Sequence, residues 1–170
     1  MKPFTPQISK LPKRSVLSIT TVGDPNKITK GAMQALYGTA YGTKFKVFKP
    51  RKKEMNIGAV SAYWFDAHLK PRAKWTAQWM LEVPGFVKQK DLIQKIPATP
   101  VKLISIPAGT VAEILHIGTY AGETPTIKQL HAFMKEQKLK IIGPHEEVYM
   151  SRPGPKAKTI IRYAVKKGRA

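Results

Sequence analysis

The sequence contains no cysteine, few acidic residues and no long hydrophobic run. The absence of cysteine excludes disulfide bonds, thiol catalysis and zinc–thiolate sites, and it is compatible with a reducing cytoplasm. No apolar run approaches the roughly 18 residues that a membrane helix needs. The N-terminal segment MKPFTPQISKLPKRSV lacks the apolar core of a secretory signal. We therefore expect a cytoplasmic protein with no membrane partner.

Acidic residues are outnumbered, with 30 Lys and Arg against 10 Asp and Glu, so the formal net charge is +20. The densest basic segment is KFKVFKPRKK, residues 44–53, and a second lies in the tail VKKGRA. Such charge attracts nucleic acid. However, the sequence has no zinc-finger spacing, no RNA-recognition aromatic motif and no GXXG loop. We therefore expect only weak, non-specific nucleic-acid binding through the basic surface.

The first half, residues 15–87, has the pattern of a strand, a helix and two further strands. SVLSITTVG is strand-like, and an amphipathic helix follows, with Asp24 as N-cap and Pro25 at the first helical position. The strand-like stretches NIGAVSAYWFD (56–66) and KWTAQWMLEV (74–83) come next. The predicted order of this half is therefore β-α-β-β.

The second half, residues 101–170, repeats this order with a different sequence. VKLISIPAGTVAEILHIGTY predicts a β-hairpin that turns at PAG. GETPTIKQLHAFMKEQKL predicts a helix with Thr124 as N-cap and Pro125 at the first helical position. Two strand-like stretches, 146–151 and 158–166, close the chain.

The shared element order predicts an α+β fold with two related halves. We expect duplicated β-α-β-β modules with pseudo-twofold symmetry, antiparallel sheets and helices on one face. A ligand groove is expected between the halves, on the helix-free side. The chain is interpreted as one domain, residues 1–170, with an extension at 1–14, halves at 15–87 and 101–170, and a connector at 88–100.

The stretch EEVYMS places two adjacent carboxylates on a predicted strand. Because side chains alternate along a strand, Glu147 and Tyr149 share one face, which we expect to line the groove. Val148 and Met150 are expected in the core, and Glu146, at the frayed start, in solvent. A carboxylate among aromatic rings neutralises a cation, or accepts a proton when desolvation raises its pKa. The alternative is a surface glutamate paired with one of the many cations.

Aromatic residues of the first half complete the candidate site. Tyr63 and Trp64 are neighbours and face opposite sides of their strand, so one of them should reach the groove. Trp75 and Trp79 lie on the next strand, where an ordinary core stripe is the alternative interpretation.

The chain has four histidines, His68, His116, His131 and His145. Their spacing does not match a metal site. His116 lies in an apolar strand, where we expect a structural role, and His131 is expected to cap or pack on its helix. No GxSxG, P-loop or GxGxxG motif is present, so we expect neither a metal nor a cofactor.

Six short motifs occur in order along nearly the whole chain: TTVGDPN, ALYGTAYGTKF, WTAQWMLEVPGFV, ILHIGTY, IKQLHAF and GPHEEVYMSRP. They resemble GKGDPN, ALY..AY.LKF, WT....I.QPDFV, ILHIGPY, I..LH.F and G.HHEIYLSDP of the GyrI-like small-molecule-binding family. The similarity is closest to its single-domain branch, the cyclopropanoid cyclopropyl hydrolases.

This resemblance implies the fold given above and the binding of flat, hydrophobic, often cationic molecules. The family's glutamate–hydrophobic–tyrosine motif falls on Glu147 and Tyr149, which are the implied catalytic residues. Its aromatic pair falls on Tyr63 and Trp64. The predicted ligand-binding residues are all aromatic: Tyr63, Trp64, Trp75, Trp79 and Tyr120.

Hydrolases of this branch open a strained cyclopropane in DNA-alkylating natural products, which is a protective activity. Water attacks the ring carbon while the conjugated carbonyl takes up electrons and becomes a phenol. The resemblance implies that Glu147 or Tyr149 orients or deprotonates this water inside an aromatic cage. Tyr149 or Tyr63 would then hydrogen-bond the developing phenolate.

Two other functions share much of this pattern. One is a non-catalytic protein that sequesters drugs or senses an effector, with nearly the same site residues. The other is a basic nucleic-acid-associated or gyrase-associated protein. The sequence leaves open the natural ligand and the oligomeric state, monomer or dimer.

Overall fold

The computed structural model describes residues 1–65 and 69–168. Two α-helices and eight β-strands lie in these ranges, which confirms the predicted α+β class. Asp66, which ends the predicted strand 56–66, lies outside the described residues. So do His68 and the last two residues of the basic tail. No helix in the described ranges combines the length and the hydropathy of a membrane span.

The strands are β1 (Gln7–Leu11), β2 (Arg14–Val22), β3 (Val60–Phe65), β4 (Thr76–Val83), β5 (Lys102–Ile106), β6 (Gly109–Ile117), β7 (Leu139–Tyr149) and β8 (Lys158–Lys167). The helices are α1 (Pro25–Thr43), which continues into a π-helical turn (Lys44–Phe48), and α2 (Glu123–Glu136). Short 3-10 turns lie at Arg72–Lys74, Gln89–Asp91 and Tyr120–Gly122.

The chain divides into two compact units. The central unit is Lys13–Pro107, and the terminal unit combines Met1–Pro12 with Ala108–Ala170. The N-terminal segment therefore belongs with the C-terminal part of the chain, since β1 pairs with β6 from Gln7↔Glu113 onward.

In the central unit the strands are antiparallel in the order β5-β2-β4-β3. Leu17, Leu36 and Leu81 are fully buried in this unit. The start of α1 is as predicted: Pro25 is the first helical residue, and the Asp24 side chain accepts a hydrogen bond of 3.0 Å from the backbone N–H of Asn26.

In the terminal unit the strands are antiparallel in the order β1-β6-β8-β7. Leu130 and Met134 of α2 pack on Ile114, Ile161 and Tyr163 of the sheet. In each unit an outer strand, β5 or β1, pairs with the first strand of the β-α-β-β plan, β2 or β6. That first strand pairs with the last strand of the plan, β4 or β8, which in turn pairs with the middle one, β3 or β7. The shared order is compatible with the predicted duplication.

Two local predictions for the second half are wrong. The hairpin does not form, because β5 pairs with β2 while β6 pairs with β1 and β8. The helix α2 begins at Glu123 with Gly122 at the N-cap, so Thr124 and Pro125 lie inside the first turn. In both cases a strong local turn or cap signal is overridden by non-local strand pairing and packing.

Candidate functional site

Glu147 is the centre of a hydrogen-bonded cluster on one face of β7. The Tyr149 hydroxyl donates to its Oε2 over 2.8 Å, and the His145 Nε2 lies 3.1 Å from its Oε1. These three side chains share a face because residues two apart on a strand point the same way. The predicted pair, Glu147 and Tyr149, is therefore in direct contact, and His145 is added to it.

Tyr163 on β8 extends the cluster across the sheet. It is paired in register with His145, and its hydroxyl lies 2.7 Å from His145 Nδ1. Burial, and then the negative charge of Glu147, raise the pKa of Tyr163 to about 12, so its hydroxyl keeps its proton. An ionised Glu147 can only accept, so Nε2 of His145 donates to it, and in the neutral tautomer Nδ1 then accepts from the Tyr163 hydroxyl.

Glu123, the first residue of α2, lies beside Glu147 and is 5% exposed. Burial, the charge of Glu147 and a hydrogen bond to Glu147 raise the pKa of Glu123 to about 8, and a weaker opposing effect comes from Thr159. Glu123 is therefore protonated at neutral pH. The two carboxyl groups share one proton and one negative charge, as close carboxyl pairs do.

The unpaired oxygens around Glu123 support this protonation state. Within the described residues, Glu123 Oε1 and Thr159 Oγ1 are buried without a hydrogen bond of good geometry. An ionised Glu123 would be a buried charge beside a second carboxylate, which offers acceptors only. A neutral Glu123 avoids this cost by donating its proton to Glu147.

Tyr120 brings a partly exposed ring to the cluster. It lies in the 3-10 turn before α2, and its ring meets that of Tyr149 edge-to-face with centroids 5.7 Å apart. Burial, followed by the charges of Glu147 and Glu123, raises the pKa of Tyr120. Of the predicted ligand-binding aromatics, Tyr120 is thus the one placed next to Glu147 and Tyr149 in the terminal unit.

The cluster lies on the face of the sheet that α2 covers. Tyr163, on this face, packs on Leu130 and Met134 of α2, and His131 of α2 meets the Tyr163 ring at 5.1 Å. The prediction that Glu147 faces the helix-free side is therefore wrong. The alternation along β7 was predicted correctly, but the side on which α2 packs depends on tertiary contacts.

Glu146 occupies the opposite face and is buried, at 3% exposure. Arg162 binds both of its oxygens, with Nε–Oε2 at 2.7 Å and Nη2–Oε1 at 2.9 Å, and Arg162 Nη1 lies 4.0 Å from Glu113 Oε2. The predictions of a solvated Glu146 and a core Met150 are both wrong, since Met150 is 52% exposed. The cause is the strand boundary, because β7 begins at Leu139 and ends before Met150.

Three of the predicted aromatic residues of the central unit form one group. Trp64 meets Trp75 and Trp79 edge-to-face, with centroids 5.9 and 5.5 Å apart. Tyr63 lies on the other face of β3, where its ring contacts Phe65 at 6.4 Å. Trp79 is buried. The three tryptophans therefore form one cluster from which Tyr63 is separated.

Glu123, His145 and Tyr163 were missed by reasoning from sequence. The position of His145, two residues before Glu147, was a usable signal, because it fixes both on one face. Glu123 precedes the predicted N-cap Thr124 and Tyr163 lies on a predicted strand, and nothing local places either beside Glu147. His116 has the predicted structural role, with its Nδ1 2.9 Å from Thr126 Oγ1.

Comparison with known proteins identifies the family. The chain is similar to a hydrolase from Listeria innocua (24% identity, 98% of this chain and 94% of that chain, TM-score 0.80). It is also similar to an uncharacterized conserved protein from Listeria innocua (26% identity, 96% of this chain and 93% of that chain, TM-score 0.81). A third similar structure is SAV2435 bound to tetraphenylphosphonium (13% identity, 95% of this chain and 94% of that chain, TM-score 0.54). No curated protein matches. The GyrI-like small molecule binding domain model matches residues 4–166, so the chain belongs to the GyrI-like small-molecule-binding domain family.

Proposed function

We propose that this protein binds flat, hydrophobic molecules and hydrolyses the cyclopropane of DNA-alkylating cyclopropanoid compounds. The observation that carries the proposal is the carboxyl pair of the buried Glu123 and the partly buried Glu147, with Tyr149 hydrogen-bonded to Glu147 at 2.8 Å. The hydrolase described among proteins of this fold, at 24% identity, adds support. So does the family's small-molecule-binding character.

In the proposed reaction Glu147 is the general base. Water attacks the ring carbon, the cyclopropane C–C bond breaks, and its electron pair passes through the conjugated dienone to the carbonyl oxygen. One water proton passes to Glu147, the phenolate oxygen takes a proton from solvent to give the phenol, and Glu147 releases its proton to solvent, which completes the addition of water and restores the base. A positioned general base contributes roughly 10²- to 10⁴-fold to such a rate.

Glu123, His145 and Tyr149 have proposed supporting roles around Glu147. Their hydrogen bonds hold both oxygens of the carboxylate in place, with contacts of 3.1 Å from His145 and 2.8 Å from Tyr149. The proton on Glu123 holds the pair at one negative charge near neutral pH. Glu123 and His145 are therefore positioning residues. Tyr149 has the further proposed role of turning its single O–H from Glu147 to the developing phenolate.

The proposed ligand contacts are aromatic faces and edges. Tyr120 is partly exposed beside Tyr149 and offers a ring to a flat molecule. The central-unit residues keep the same proposed role: Tyr63, Trp64, Trp75 and Trp79.

A second candidate function is binding without turnover. It is favoured by one observation, that both oxygens of Glu147 already accept hydrogen bonds. A carboxylate held in this way is a fixed negative charge suited to an organic cation. SAV2435, which has a similar fold, binds tetraphenylphosphonium, a cation carrying four phenyl groups.

The test uses the purified full chain with a cyclopropyl-dienone model compound. Absorbance follows loss of the dienone, mass spectrometry follows water addition, and calorimetry follows tetraphenylphosphonium binding. Glu147→Gln is compared with Glu136→Gln, a matched change at an exposed position on α2 of the same unit. Multiple turnovers lost only in Glu147→Gln support the hydrolase. Saturable binding without product supports the binding protein. If the protein shows neither turnover nor binding, both candidate functions are overturned.

A further inference from the structure

A row of aromatic rings runs along α1 into the π-helical turn. Tyr37, Tyr41 and Phe45 are spaced four residues apart, with ring centroids separated by 6.4 and 6.0 Å and ring planes inclined by 20° and 21°. Lys49, four residues further, places its Nζ 5.6 Å from the Phe45 centroid. We call Tyr37, Tyr41 and Phe45 the aromatic ladder. Side chains at this spacing lie on one face of a helix.

Two rings of the aromatic ladder face solvent, since Tyr41 is 45% exposed and Phe45 is 51% exposed, whereas Tyr37 is half-buried. The buried side of α1 is made by other residues, including Ala35, Leu36 and Thr39. The rings of Tyr41 and Phe45 are therefore not needed to pack the helix on its sheet, and neighbouring exposed aromatics on one face are typical of an interaction surface.

The surroundings of the aromatic ladder are strongly positive. From Pro25 to Lys53 the sequence has no Asp or Glu, and its basic residues are Lys27, Lys30, Lys44, Lys46, Lys49, Arg51, Lys52 and Lys53. Arg51 is engaged by Asp91 at 3.7 Å, and the Lys53 Nζ lies 3.8 Å from the Phe86 ring centroid. In the described part of the chain, Lys44, Lys46 and Lys52 have no carboxylate partner, so they are available to an anion.

We propose that the aromatic ladder and its lysines bind single-stranded nucleic acid. Unpaired bases stack on exposed aromatic rings whatever their sequence, and lysines neutralise the adjacent phosphates. A duplex keeps its bases stacked inside the helix, so it can use the lysines but not the rings. An acidic protein surface or an anionic membrane likewise offers charge without a row of flat π-faces.

This site shares no residue with the proposed hydrolase site. Its rings and lysines lie on α1, in the π-helical turn and in the residues that follow, up to Lys52. It also refines the weak attraction expected from the +20 charge. Charge alone predicts binding that depends on salt only, whereas the aromatic ladder predicts a preference for single strands.

The experiment measures fluorescence anisotropy of a labelled oligothymidylate of about 20 nucleotides and of a duplex of equal length, from about 50 to about 300 mM NaCl. The full chain is compared with Tyr41→Ser/Phe45→Ser, and with Phe45→Tyr, which keeps the ring. A basic variant, Lys46→Gln/Lys49→Gln/Lys52→Gln, is matched by Lys128→Gln/Lys135→Gln/Lys140→Gln, which removes the same charge from exposed positions of the terminal unit. Circular dichroism confirms that each variant is folded.

The expected result has three parts. The full chain prefers the single strand, and the double serine variant loses at least about tenfold in its affinity while the salt slope stays the same. Phe45→Tyr retains binding. The basic variant lowers the salt slope more than its matched control does. Equal affinity for duplex and single strand, or unchanged binding by the double serine variant, overturns the proposal.

Discussion

Glu146 and Glu147 are adjacent in the sequence, yet their side chains lie on opposite faces of β7 and have different partners. Glu146 is held by the Arg162 guanidinium at 2.7 and 2.9 Å. Glu147 is hydrogen-bonded by Tyr149 and His145 and shares a proton with Glu123. A charge neutralised by Arg162 contributes to stability, whereas Glu147 keeps a negative charge next to the exposed ring of Tyr120 and is suited to a ligand.

This difference predicts that Glu146→Gln mainly lowers stability, whereas Glu147→Gln mainly removes activity. Glu146→Gln removes the negative charge that the buried Arg162 binds at 2.7 and 2.9 Å, so we expect the free energy of unfolding to fall by about 3 kcal/mol. Glu147→Gln is expected to lower it by much less while abolishing activity. Urea unfolding of both variants, with Glu136→Gln as the surface control, checks this. A loss below about 1 kcal/mol in Glu146→Gln would contradict the structural role.

The shared proton predicts a pH dependence of stability. The pKa of Glu123 is raised from its ordinary 4.5 to about 8, so between these values the folded protein holds a proton that the unfolded chain has released. The free energy of unfolding should therefore fall as pH rises through this window, by up to about 1.4 kcal/mol per pH unit from this group.

Glu123→Gln cannot release this proton, so its stability should decline less than that of the unmodified protein between about pH 5 and pH 8. Urea unfolding at several pH values measures both slopes. Parallel slopes would show that Glu123 is ionised in the folded state at neutral pH.

Cation binding should respond to pH in the opposite direction. Above about pH 8 the carboxyl pair loses its shared proton and carries two negative charges. The affinity for tetraphenylphosphonium should therefore increase severalfold across this value, because an added nearby charge favours the cation. Calorimetry on the unmodified protein and on Glu123→Gln tests this, and an equal pH response in the two proteins would exclude Glu123 as its source.

Tyr163→Phe tests the hydrogen-bond chain from Tyr163 through His145 to Glu147. The ring stays in place, so we expect only a small loss of stability, of about 1 kcal/mol. In the unmodified protein, ¹⁵N NMR of His145 should show a proton on Nε2 and none on Nδ1. In Tyr163→Phe the tautomers should mix, because Nδ1 loses its donor at 2.7 Å. A proton found on Nδ1 in the unmodified protein would contradict the assigned donors and acceptors in the hydrogen bonds from Tyr163 to His145 and from His145 to Glu147.

Local signals predicted most of the fold. Asp24 and Pro25 mark the start of α1 because a cap and a fixed φ act within one turn. The predicted hairpin failed because the choice of strand partner is not local, and β5 and β6 pair with β2 and β1 instead. The strand β1 was missed because the five residues QISKL carry too little hydrophobic alternation to be distinguished from an extended tail.

The candidate site was predicted only where strand periodicity sufficed. Alternation placed Glu147 and Tyr149 together, and the 2.8 Å hydrogen bond agrees with that. Glu123 reaches Glu147 through the packing of α2 on the sheet, which no sequence spacing encodes. The burial of Glu146 depends on Arg162, sixteen residues away on the paired strand.

The most direct test of the proposed function is mass spectrometry of the cyclopropyl-dienone after incubation with the protein in ¹⁸O-labelled water. We expect many product molecules per protein molecule, each with one labelled oxygen at the former ring carbon, and no enzymatic product with Glu147→Gln. Absence of product, or equal product from Glu147→Gln, would contradict a hydrolase that uses Glu147 as its base.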